Sequence, residues 1–265
     1  MSEINIEEGI KFFGQVIHKY VKAADFAVAE NLHMKKEHSE RVSARCKQLA
    51  AAINLEPDEQ DFAGLTGLLH DVGRFAQFEK YKSFDDSQTE DHAALSVSMI
   101  QEADFFKAMN EYDQQVLLQS VGNHNKLTFT ANDKKTALMG QILRDADKLD
   151  NWELAVSLLK RDGSFGLTGV HYNLPKIPGV TDAVIKSLAA GKCVNKKDLH
   201  SLTDFKLFLM SMVYDLNFKA SFAVVSDKQL IRKLYDSLSK RDDIIDAYRV
   251  MRLFVENKLT GKERA

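Results

Sequence analysis

The chain predicts an all-α fold. Apolar residues recur at helical spacing almost throughout, and no run of strict apolar–polar alternation interrupts them. The only prolines stand at 57, 175 and 178, so long stretches are free of helix breakers.

From Ile6 to about Asn31, the stripe Ile10, Phe13, Ile17, Tyr20, Val21, Ala24 and Val28 predicts an amphipathic helix. His18 lies there beside Lys11, Lys19 and Lys22 and reads as a surface residue. A second helix is expected from Lys35 to Ile53, burying Val42, Cys46, Leu49, Ala50 and Ile53. His38 precedes Val42 by one turn and shares that face. Pro57 suits the first turn of a third helix, carried inward by Phe62, Leu65, Leu68, Leu69 and Val72. At its end come His70 and Asp71, an adjacent imidazole and carboxylate that are costly to bury unless something pairs with them. Gly73 is the expected terminator, and Arg74 follows within a turn of His70.

Lys82 to Thr89 reads as a polar loop, with Thr89 as N-cap of a helix from Glu90 to about Ala103. That helix carries His92 in its first turn, ahead of Ala94, Leu95, Val97 and Ile100. A further helix from Asp113 to Val121 runs out at Gly122-Asn123-His124-Asn125-Lys126, leaving His124 at a terminus. Asp133 can cap a long helix from Lys134 to about Leu159, with Leu138, Ile142, Leu149, Trp152 and Leu158 as its stripe. Within it Asp145, Asp147 and Asp150 cannot all share one face, so at least one must point inward. Gly163 to Gly179, rich in glycine and proline, is the clearest break. Helical patterns resume at about 182–190, 198–223, 227–238 and 242–257. The organisation expected is a helical domain over 1–163 with a helical extension, 164–265, packed on the same bundle. Phe205, Leu207, Phe208, Met210, Met212, Val213 and Tyr214 are too apolar for a solvated helix and either pack as core or form a homo-oligomer contact. His33, His171 and His200 receive no role.

Lys and Arg number 36 against 38 Asp and Glu, a net charge of -2 that leaves no electrostatic footprint for nucleic acid. Two cysteines, Cys46 and Cys193, make no disulfide framework and point to a reducing compartment. The acidic start, Met1 to Glu8, lacks a signal-peptide layout, and the apolar stretch Phe205–Phe218 is too short to span a bilayer. The expectation is a cytoplasmic protein without a membrane segment.

His38, His70, Asp71, His92, His124 and an aspartate near 147 each fall on or at the end of a helix, all different apart from the adjacent pair. Imidazole and carboxylate donors in this mix suit Mn, Fe, Co, Ni or Zn. They suffice for two ions with one carboxylate bridging.

The series resembles the HD superfamily of metal-dependent phosphohydrolases in its six-ligand form, over about the first 160 residues. The resemblance implies a helical bundle. It implies His38, His70, Asp71 and Asp147 on one metal, with His92 and His124 on a second that Asp71 bridges. Ala146-Asp147-Lys148-Leu149 matches the family's context for the last aspartate, which selects Asp147 and leaves Asp145 to orient it. His124 departs from the pattern in standing alone where many relatives have a His-His pair.

The activity implied is hydrolysis of a phosphomonoester or phosphodiester by a metal-activated hydroxide, on a nucleotide or similar small phosphorylated substrate. Arg74 is the first candidate to clamp a phosphate oxygen, with Lys148 and Lys126 behind it. Loops such as Gly166–Gly179 are expected to cover the cleft. Two alternatives remain: a mixed-valent di-iron oxygenase of the myo-inositol oxygenase kind, and a degenerate scaffold that only binds a nucleotide or a protein.

Overall fold

A computed structural model describes residues 3–22, 26–160, 163–164 and 174–261. Residues 165–173, including His171 and much of the segment expected to cover the cleft, lie outside the described residues. The fold is all-α, with no strand among the described residues. No helix among them is long and apolar enough to cross a membrane. The chain divides into two compact units, Met1–Asp147 and Lys148–Ala265.

In the first unit, α1 (Glu3–Val21) and α2 (Phe26–Ala52) divide earlier than the sequence reading expects. The stripe of α2 extends N-terminally through buried Leu32, in phase with Val42, Cys46 and Leu49, so the helix is continuous across residues 32–34. After a short turn α3 (Pro57–Leu69) opens with Pro57 in its first turn, and Glu56 and Glu59 form a reciprocal capping box.

The α2 and α3 helices lie very close. A Cβ on Gly67 would stand 3.0 Å from the Ser43 backbone, and the Ser43 hydroxyl donates to Gly64 O at 2.7 Å. His38 lies 14 residues before Ala52, and His70 lies 13 after Pro57. At about 1.5 Å per residue both stand ~20 Å from the connecting turn, on the same level of the hairpin. Helix register alone therefore brings these two histidines together, with ring centroids 5.2 Å apart.

Gly73 does not terminate a helix. It opens α4 (Gly73–Tyr81) in a right-handed conformation, and its missing side chain serves packing. A Cβ there would meet His92 O and Ser96 N at 2.5 Å each, so α4 and α5 (His92–Glu102) touch backbone to backbone. Gly73 N–H donates to Ser96 Oγ at 2.9 Å, which in turn donates to His92 O at 3.0 Å. The cap of α5 is Asp91 rather than Thr89: its carboxylate accepts from Ala93 N at 3.0 Å. Thr89 is instead tied into the loop, donating to Asp85 O at 2.8 Å.

A short turn of helix, α6 (Asp104–Lys107), leads to α7 (Glu111–Asn123), capped by Asn110. Asp133 caps α8 (Lys134–Ser157) as expected, accepting from Lys135 N and Thr136 N.

The second unit holds α9 (Asp182–Ala189), α10 (Leu202–Ser211), α11 (Lys219–Asp227), α12 (Leu230–Asp236) and α13 (Asp242–Thr260). The pattern read as one helix over 198–223 is broken in two. Ser201 caps α10 by accepting from Asp204 N at 3.0 Å, and Phe218 is extended before α11. Buried Asp204 also holds the α9 entry, accepting from Thr181 N and Thr181 Oγ1 at 2.9 and 2.8 Å. The Met and aromatic cluster is this unit's own core: Leu207, Met210 and Val213 are fully buried with Trp152, Leu234 and Met251.

Candidate metal centre

All six positions singled out for metal binding converge in the first unit. Three termini and two helix bodies deliver them: His38 from within α2, His70 and Asp71 from the bend after α3, His92 from the start of α5, His124 from the end of α7, and Asp147 from within α8. Asp71 is central. Its Oδ2 faces His38 Nε2 and His70 Nε2, each at 3.7 Å. Its Oδ1 faces His92 Nε2 at 3.4 Å and His124 Nε2 at 3.8 Å. Asp147 Oδ1 closes the first group, 3.2 Å from His38 Nε2 and 3.7 Å from His70 Nε2.

The tautomers follow from what the other ring nitrogens touch. His70 and His124, each just past the end of its helix, use one device: Nδ1 lies 2.7 Å from Gly67 O and 2.6 Å from Val121 O, the carbonyl three residues back. A carbonyl can only accept, so Nδ1 donates and each Nε2 presents a bare lone pair. His92 Nδ1 faces Asp86 Oδ2 at 2.5 Å and likewise donates to an ionised carboxylate. Burial pushes the His124 imidazole down to about 3, helped by the nearby His92 and His70. Burial, then the Arg74 charge, lowers His92. Both rings are therefore neutral at ordinary pH, as metal ligands must be. Burial alone would raise the Asp71 carboxyl, but Lys35, His70, His92 and Arg74 hold it well below the usual carboxylate range. Asp147 is likewise held well below the usual carboxylate range against its burial, by the His38 and His70 rings beside it.

This arrangement fits a cation. His92 Nε2 and His124 Nε2 stand 3.0 Å apart with two lone pairs facing, which repel unless positive charge lies between or beside them. His70 Nε2 and Asp71 Oδ1 are buried without a hydrogen-bond partner, a cost the fold would not carry without a ligand for them. Donors about 2.1 Å from a shared ion are ~3 Å apart at right angles, close to the spacings here. Three overlapping groups bring their donor atoms within 4.8 Å of one another: His38–His70–Asp71, His70–His124–Asp147 and Asp71–His92–His124.

Residues 36–152, the segment containing all six positions, match the family model of the HD domain. Over that segment the chain is similar to the HD domain. No curated protein and no solved structure matches the chain. HD domains bind divalent metal ions, and the His and Asp clusters of this chain can hold them.

The cations expected to clamp phosphate each have protein partners, although Arg74 also keeps its Nε 3.7 Å from Asp71 Oδ1. Arg74 donates through Nη1 to Phe84 O, Gln77 Oε1 and Asp86 Oδ1 at 2.6, 2.8 and 2.8 Å, which fastens the 82–91 loop to α4. Lys126 pairs with Asp91. Lys148 belongs to the second unit and pairs there with Asp215 Oδ2 at 2.7 Å. Asp145 is fully buried, and its charge and that of Asp147 join burial in pushing the Cys46 thiol up.

Sequence reasoning missed the supporting residues. Asp86 fixes the His92 ring and is itself held by Arg74 and by Gln77 Nε2 at 2.9 Å; in a polar loop nothing marks it out from Asp85. Buried Arg144 donates to His124 O and Lys126 O at 3.1 and 2.5 Å, securing the end of α7 that carries His124. Its position three residues before Asp147, on the same helical face, was the available signal. Lys35 has the same relation to His38, and its Nζ lies 3.0 Å from Asp71 Oδ2.

Asp86→Asn tests this support. The amide keeps the shape but loses the charge that holds Nδ1–H of His92. Affinity for Mn²⁺, measured by calorimetry, should fall about 10–100-fold with the thermal midpoint little changed; unchanged affinity would mean His92 needs no such partner.

Proposed function

We propose that this protein is a metal-dependent phosphohydrolase, a phosphomonoesterase or phosphodiesterase acting on a nucleotide or a similarly small phosphorylated molecule. The observation that carries the reading is the two-sided use of Asp71, whose oxygens face separate pairs of imidazole Nε2 atoms. In this reading His38, His70, Asp71 and Asp147 hold one ion, and His92 and His124 hold a second that shares Asp71. The donor set favours Mn, Fe, Co, Ni or Zn.

Such ions supply an activated water at neutral pH and neutralise charge developing on phosphoryl oxygens. The chain's own contribution is to hold the donors neutral or anionic as each requires, and to fix their direction. The Gly67 and Val121 carbonyls and the Asp86 carboxylate keep three Nε2 atoms aimed inward. The 82–91 loop, fastened by Arg74 and Gln77, keeps Asp86 in place. A net charge of -2 with no basic excess supports a small substrate over a nucleic acid.

The test is a screen of metal-stripped protein reloaded with Mn²⁺ against nucleoside mono-, di- and triphosphates, cyclic nucleotides, p-nitrophenyl phosphate and bis-p-nitrophenyl phosphate. Turnover that is lost with a chelator and restored by metal is expected. Iron-loaded protein that consumes O₂ with substrate, and hydrolyses nothing in the panel, would replace this reading with the di-iron oxygenase.

A further inference from the structure

We propose that Lys35 binds the anionic phosphoryl group of the substrate, and that in the metal-free protein its ammonium serves as the resident counter-ion of Asp71. The inference rests on the reading of the site as a phosphohydrolase metal centre, and it adds a residue to which that reading gives no role.

Lys35 lies one turn before His38 on α2 and therefore emerges on the same side, at the rim of the cluster. Its Nζ is 3.0 Å from Asp71 Oδ2, the oxygen that also faces His38 and His70. The side chain is 15% exposed, against 4% for Asp71, so it has a way out toward solvent. Of the other cations nearby, Arg74 uses Nη1 to fasten the 82–91 loop and keeps its Nε 3.7 Å from Asp71 Oδ1, and Lys126 pairs with Asp91. Among the described residues Lys35 Nζ has no hydrogen-bond acceptor besides Asp71, and the Phe84 ring lies 5.5 Å away, Nζ to centroid.

An ammonium has no lone pair and cannot enter a metal's ligand set. Beside an oxygen that takes a divalent ion it is pushed outward, because the two cations repel across a short, poorly screened distance. Its four-carbon stem is flexible while its backbone is fixed in α2, so the displaced charge remains at the mouth of the site. A phosphoryl group brought to the metals places its oxygens there and restores a partner to Lys35. One lysine thus neutralises Asp71 when the centre is empty and grips substrate when it is full.

The experiment uses the full chain with Lys35→Met, which keeps length and helix preference and removes the charge. Calorimetry measures Mn²⁺ binding to metal-stripped protein, then inorganic phosphate binding to the Mn²⁺-loaded form. Lys35→Met should bind Mn²⁺ about tenfold more tightly, since no ammonium has to be displaced, and inorganic phosphate about 10–100-fold more weakly. Lys35→Gln, offered in case the methionine variant misfolds, should move both constants in the same directions. Weaker Mn²⁺ binding in either variant would make Lys35 a mere prop for Asp71 and overturn the proposal, as would unchanged phosphate binding. Wild-type protein that hydrolyses phosphoesters while its Lys35 variants behave identically defeats this inference alone. Wild-type protein that takes up no Mn²⁺ defeats the metal-centre reading and this inference with it.

Discussion

Asp71→Asn should yield a folded protein that holds almost no metal and turns over substrate roughly a thousandfold more slowly. The amide is isosteric, so packing in the bend between α3 and α4 is preserved. What is lost is a charge used from both sides, since each carboxylate oxygen faces its own pair of histidines. In the proposed two-ion arrangement, substituting any one histidine removes a donor from one ion only, whereas Asp71→Asn weakens both. Metal per chain by plasma mass spectrometry, set beside hydrolysis rates, checks this. An Asp71→Asn protein that keeps its metal and its activity would remove Asp71 from the centre. His70→Ala provides the comparison, with a loss expected mainly on the His38–Asp147 side.

Gly73→Ala should be the most damaging single methyl in the first unit. The added carbon would meet the His92 carbonyl and the Ser96 amide at 2.5 Å, and those are backbone atoms that cannot swing aside. Relief requires α4 and α5 to part, which stretches the Gly73–Ser96–His92 hydrogen-bond chain and draws His92 off Asp86. Overpacking of this kind costs about 3 kcal/mol, and the thermal midpoint should fall by roughly 6–12 °C. Gly140→Ala is the control. The three atoms nearest its added carbon all belong to the half-buried Phe129 ring, which can turn away, so a much smaller loss is expected. Equal melting losses in the two variants would refute the assignment of Gly73 to backbone contact.

Long amphipathic segments were legible because burial imposes a helical period on them: α3, α8 and α13 stand close to where the spacing of apolar residues puts them. Boundaries were less legible because several residues near each end could cap equally well. Thr89 and Asp91 are both good caps, and the choice of Asp91 depends on Thr89 being taken up by Asp85 and Gln77. Over 198–223 the apolar period persists through two helices, and only the Ser201 cap and the extended Phe218 break them.

The six polar positions stood out since each interrupts, or sits at the end of, an apolar pattern. Their supports did not. Asp86 is an acid in a polar loop, and nothing in composition or spacing tells it from its solvated neighbours; Lys35 differs from the adjacent Lys36 only in standing one turn before His38. Gly73 illustrates a different limit: glycine after a helix suggests a left-handed cap, yet the position is right-handed and the absent side chain serves a neighbouring helix.

The helix register that levels His38 with His70 has a thermodynamic consequence. Apart from the adjacent His70 and Asp71, the six side chains come from separate helices, spread from residue 38 to residue 147. No short stretch of the unfolded chain carries enough of them to hold an ion. Metal would then bind the folded unit and hardly at all its unfolded form, so its whole binding free energy adds to the stability of the fold. Loss of the ion would be felt by the entire first unit, as a lowered free energy of unfolding rather than as a local defect.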